Sequence, residues 1–87
     1  MYKVIISKKA LKGINKMPQL IQLSIANLLD DLRQQGPIVK QWANFSEIGK
    51  NKYHCHLAYK WVACWEYIED IITIEVYYAG SRENAPY

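Results

Sequence analysis

Cysteine is scarce in this chain, and long apolar runs and the common catalytic signatures are missing; each absence removes a class of protein. The two cysteines, Cys55 and Cys64, sit in strongly apolar sequence and are too few for the disulfide framework of a small secreted domain, so they are expected as reduced core residues. No apolar run approaches the roughly 20 residues of a membrane-spanning helix. Lys8-Lys9 follow a short strand pattern at the N-terminus where a leader peptide would carry its apolar core, so a cytoplasmic protein with no membrane partner is expected. The phosphate-binding loop, the dinucleotide fingerprint, G-x-S-x-G, H-E-x-x-H and C-x-x-C are all missing, which argues against nucleotide-driven, serine acyl-transfer and zinc-hydrolase chemistry. No acidic residue precedes Asp30, whereas Lys3, Lys8, Lys9, Lys12 and Lys16 do. With a net charge of +3, this lopsidedness favours an anionic partner, either nucleic acid or an acidic protein segment; a solvated lysine face over a small core is the plainer alternative.

What is present reads as a folded globule. Half of the residues are hydrophobic (51%) and 13% are aromatic, too apolar for disorder, and residues 1–87 are expected to form one domain. Tyr2 to Ile6 is β-prone. Ser7 is a fitting N-cap for a helix through about Lys16 with Ala10, Leu11 and Ile14 on its apolar side. Pro18 suits the first turn of a second helix, in which Ile21, Ile25, Leu28 and Leu32 recur with helical spacing, and Gly36-Pro37 ends it near Gln35. The rest is strand-like: Phe45–Ile48, a turn at Gly49-Lys50-Asn51, Lys52–Ala58, a turn at Tyr59-Lys60, Trp61–Ile68, a turn at Glu69-Asp70, and Ile71–Ala79. The expected fold is α+β in β-α-α-β-β-β order, a helical hairpin packed on one face of a small, mostly antiparallel sheet.

Period-two alternation divides the Lys52–Ala58 strand into Tyr53, Cys55 and Leu57 on a core face and Lys52, His54 and His56 on the other, a cationic row flooring an open concavity. Tyr59 and Tyr87 are the expected exposed aromatics, while Trp61, Trp65 and Tyr67 alternate as packing residues do. Arg82 is the only arginine after Arg33. It follows Gly80, expected to let the backbone turn sharply, and a guanidinium there is a fork for phosphate or carboxylate.

His54-x-His56 puts two imidazoles on one face but lacks a third metal ligand, so no metal is expected; on spacing alone, two plain surface histidines outrank catalytic ones. Acid and base groups (His54, His56, Tyr87) beside fixed cations (Lys52, Lys60, Arg82) nevertheless suit phosphodiester cleavage without metal or small-molecule cofactor. A base deprotonates a ribose 2′-hydroxyl, the oxygen attacks phosphorus, and an acid protonates the departing 5′-oxygen.

The chain resembles the RelE/ParE superfamily of toxins from type II toxin-antitoxin pairs. The resemblance spans nearly the whole length. It rests on the element order, on Tyr53-His54-Cys55-His56 where these toxins often carry a Tyr-Arg-x-Arg pattern, on Val62-Ala63-Cys64-Trp65-Glu66, and on Val76-Tyr77-Tyr78-Ala79-Gly80-Ser81-Arg82, an apolar strand ending in glycine, a polar and a basic residue. What it implies is a cytoplasmic toxin neutralised by a cognate antitoxin, with the RelE-like branch cleaving mRNA on the ribosome. In that reading Arg82 resembles the phosphate-binding arginine, Tyr87 the tyrosine near the terminus, and Lys52, His54 and His56 stand where basic and general-base groups are placed. The ParE-like branch inhibits DNA gyrase without cutting RNA, and a non-catalytic RNA- or protein-binding member is a further alternative.

Overall fold

The computed structural model describes residues 1–68 and 72–87. The expected turn at Glu69-Asp70 and the expected strand start at Ile71 lie outside the described residues. Strand β1 (Lys3–Ile6) leads into α1 (Lys8–Asn15) and α2 (Gln19–Gln35), followed by β2 (Ser46–Gly49), β3 (Lys52–Ala58), β4 (Trp61–Ile68) and β5 (Thr73–Ser81). A 3₁₀ turn at Arg82–Asn84 follows β5. The α+β hairpin-on-sheet architecture is as expected; with the short β2 counted as its own strand, the order reads β-α-α-β-β-β-β.

Helix boundaries follow from local chemistry. Ser7 has extended backbone and its side chain accepts from the Ala10 N–H at 3.1 Å, so one of the four orphan donors of α1 is satisfied. The break before α2 is pinned by Gln22, whose side-chain amide donates to the carbonyls of Ile14 and Met17 at 3.0 and 3.1 Å. Helix α2 stops at Gly36, which takes φ +90°, and a Cβ there would press on the Tyr2 ring.

The five strands lie in the order β1-β5-β4-β3-β2, with β1 parallel to β5 and the remaining pairs antiparallel. Ile21, Ile25, Leu28 and Leu32 are all buried, and they share one cluster with Tyr53, Cys55, Trp65, Ile74 and Val76. The β3 alternation therefore has the expected register: Tyr53, Cys55 and Leu57 face the helices. Leu11, expected on the apolar side of α1, is instead 48% exposed. It lies about 100° around the helix from Ala10, off the stripe that Ala10 and Ile14 bury in the core.

Two further contacts orient the sheet's functional end. A Cβ on Gly13 would overlap the Ala79 carbonyl oxygen, so glycine lets α1 lie with its backbone directly against β5. In β5 the pairing slips between Cys64↔Tyr78 and Trp65↔Val76, leaving Tyr77 as the extra residue of a bulge. Because of that extra residue Tyr77 and Tyr78, adjacent in sequence, both pack with the cluster on the face away from the helices.

Candidate functional site

The face of the sheet opposite the helices carries the candidate site. Cross-strand register sets Ser46, His54, Cys64 and Tyr78 in one row, with His56, Val62 and Gly80 in the next row toward the end of β5. At a strand spacing of about 4.8 Å, His56 stands about 10 Å from Gly80 across Val62. Lys52 lies on the other side of His54, in register with Glu66, which in turn faces Glu75.

The floor of this face is not bare. Val62, Cys64 and Tyr78 form a small buried cluster, and Ala85 packs on it. The chain thus turns back after β5 and lays its last residues over the sheet. Three contacts fix the turn: the Tyr78 hydroxyl donates to the Ser81 carbonyl at 2.6 Å, the Ser81 hydroxyl accepts from the Glu83 N–H at 3.2 Å, and the Arg82 N–H donates to the Lys60 carbonyl. The expectation that Gly80 turns the backbone is corrected here. Gly80 is a buried residue inside β5, and its missing Cβ makes room for the Tyr78 hydroxyl, while the change of direction occurs at Arg82–Asn84.

Past that turn the Tyr87 ring comes to rest on His54, with centroids 4.3 Å apart and planes tilted by 50°. His54 also meets His56 edge-on at 5.5 Å, and its Nδ1 is 3.0 Å from Ser46 Oγ, a hydrogen bond whose donor depends on the imidazole tautomer. His54 is only 7% exposed. Burial lowers its pKa below the ordinary 6.5, a hydrogen bond with the Ser46 backbone opposes the shift, and the neighbouring His56 adds to it. The expected cationic row is therefore corrected: His54 is a buried imidazole whose burial disfavours the charged form, with the Tyr87 ring of the tail packed on it.

Tyr87 stays half exposed. Burial raises its phenol pKa, with Cys64 adding and Arg82 opposing, so it keeps its proton at neutral pH. Arg82 and Lys60 are both exposed at the same end of the sheet, joined by the backbone bond already described, and Lys60 Nζ lies 5.2 Å from the Trp61 ring centroid. Lys52 is set apart, its Nζ 5.9 Å from the Tyr77 ring centroid and facing Glu66. The cysteines are free and buried, each thiol pushed up to about 12 by burial, which leaves them inert as nucleophiles.

Of the expected site residues, then, His54, His56 and Tyr87 touch in sequence, Arg82 lies within electrostatic reach of Tyr87, and Lys60 is tied to Arg82. Lys52 is the outlier. Ser46 was missed, because the partner of His54 on an edge strand depends on pairing register, which no local pattern reveals. Tyr78 was missed as the brace of the turn, although the Tyr77-Tyr78 pair breaks strict alternation and so carried a signal for the bulge.

No protein-family model matches the sequence, and no curated protein matches it significantly. Solved structures do match. The archaeal RelE–RelB complex from Pyrococcus horikoshii superposes with TM-score 0.76 at 16% identity, covering 97% of this chain and 98% of that one. The isolated E. coli RelE toxin gives 0.77 at 15% identity, over 99% and 89%. The chain has the RelE-like fold. The YoeB dimer from Staphylococcus aureus shares that fold at TM-score 0.72 and 12% identity, over 91% of this chain and 94% of its own. Identity this low carries the RelE-like architecture and no residue roles.

Proposed function

We propose that this protein is the toxin of a toxin-antitoxin pair, a metal-independent endoribonuclease that cuts mRNA on the ribosome in the cytoplasm. One observation carries the reading: the tail after β5 brings Arg82 and Tyr87 to the sheet end that holds His54 and His56. His56, partly exposed where His54 is buried, accepts the proton of the 2′-hydroxyl. The freed oxygen attacks the adjacent phosphorus, and negative charge grows on the phosphoryl oxygens. Arg82, with Lys60 beside it, stabilises that charge. Tyr87, which keeps its proton at neutral pH, protonates the leaving 5′-oxygen, so the products are a 2′,3′-cyclic phosphate and a 5′-hydroxyl end. Ser46 and Tyr87 hold the neutral His54 ring, and His54 in turn buttresses His56 edge-on.

The antitoxin is a separate, acidic or amphipathic chain, in keeping with the RelB partner named for the Pyrococcus structure and with the net charge of this one. A second reading, gyrase inhibition without nuclease activity, draws on the burial of His54, which a catalytic base does not need. Primer extension on mRNA bound to programmed ribosomes separates the two. Cleavage with a 5′-hydroxyl product supports the nuclease, and intact mRNA together with arrested gyrase replaces it by the second reading.

A further inference from the structure

Beside the turn that carries Arg82, between α1 and the end of β5, lies a cavity of about 450 Å³. Lys9, Lys12 and Lys16 line it together with Trp61, Tyr78 and, from the Arg82 turn itself, Asn84. The lysines recur at i, i+3 and i+7, so one face of α1 presents three ammonium groups over about 10 Å of helix. All three are exposed, and α1 carries no acidic side chain to neutralise them. Two of the site's cations already lie near these rings: Lys9 Nζ is 6.0 Å from the Tyr78 centroid, and Lys60 Nζ is 5.2 Å from that of Trp61.

We propose that this groove binds single-stranded RNA flanking the cleaved phosphate, with phosphates on the α1 lysines and a base stacked against Trp61. Two observations converge on RNA. Alternating cations and aromatic rings around an apolar floor are what a single strand requires, because every base has a π-face and every linkage a charge. The groove is continuous with the proposed cutting site, since Ser81 and Asn84 flank Arg82 in the chain and line it.

The inference rests on the nuclease reading, and its test is a binding measurement that needs no cleavage. The probe is a fluorescein-labelled hexauridylate bearing 2′-O-methyl groups, titrated by anisotropy across a range of salt with the full-length protein. Lys9→Gln/Lys12→Gln/Lys16→Gln should flatten the slope of log K against log salt by about 2, since each single-strand phosphate contact contributes about 0.7. Lys12→Gln alone should flatten it by about 0.7, which guards against an unstable triple variant. Trp61→Leu should weaken binding roughly 5- to 150-fold with the slope unchanged.

A triple variant with wild-type slope and affinity overturns the proposal. So does a wild type that ignores the probe but binds a hexaglutamate peptide through the same lysines, which would make the groove a seat for an acidic protein segment. Failure of the underlying reading looks different: ribosomal mRNA stays intact while the probe still binds with a lysine-dependent slope. In that case the groove stands and the nuclease falls.

Discussion

The Tyr87 ring lies 4.3 Å from that of His54, so a residue at the end of the chain covers an imidazole in the third strand of the open face. The burial of His54 has a thermodynamic consequence. Its folded-state pKa lies below the unfolded 6.5, so the unfolded chain binds the extra proton first. The stability associated with a neutral His54 is complete above about pH 6.5 and is lost as pH falls through the folded pKa. Urea midpoints should therefore drop between pH 7.5 and pH 5, and His54→Asn should flatten that part of the profile. An identical pH dependence in wild type and variant would show that His54 does not titrate on unfolding.

Tyr87→Ala should return the His54 pKa toward 6.5, because desolvation is its largest cause, and Tyr87→Phe should leave it nearly unchanged. NMR titration of the imidazole C–H signals reads both. On ribosomes both variants should lose cleavage, and loss in Tyr87→Phe, where the ring still covers His54, isolates the role of the phenolic proton. A Phe variant with full activity would remove Tyr87 as the acid.

Gly13→Ala should destabilise the fold by about 1–3 kcal/mol or more, since the added methyl meets the backbone of Ala79 and neither element can yield without unpacking. Gly49→Ala is the matched control. A Cβ at Gly49 meets only Lys52 side-chain atoms, 3.6 Å away at the nearest, and its melting temperature should stay near wild type.

Leu28→Ala should cost about 2–5 kcal/mol, because the side chain is fully buried between α2 and the sheet. A domain of this size has little stability to lose, so the variant should be largely unfolded near 37 °C by circular dichroism.

These contrasts mark where the chain was legible. Leu28 was placed correctly because helical spacing survives in a single sequence, and β3 and β4 because turn residues bound two alternating runs at Lys52–Ala58 and Trp61–Ile68. The register of His54 was also legible; its burial was not. Alternation states which face a residue takes and is silent on what covers that face, and the covering segment, Ala85-Pro86-Tyr87, has no period to read. The parallel pairing of β1 with β5 and the contact of Gly13 with Ala79 are likewise long-range, joining the two ends of the chain.

The most direct measurement is the single-turnover rate of mRNA cleavage on programmed ribosomes at saturating protein, comparing wild type with Arg82→Ala, His56→Ala and His54→Ala. Arg82 is exposed, so its variant should fold normally and cut about 10² to 10³ more slowly. His56→Ala should lose about 10² to 10⁴, more than His54→Ala, whose effect is confined to positioning. Wild-type cleavage matched by Arg82→Ala and His56→Ala alike would contradict the account, because the charge and the base on which it rests would then lie elsewhere.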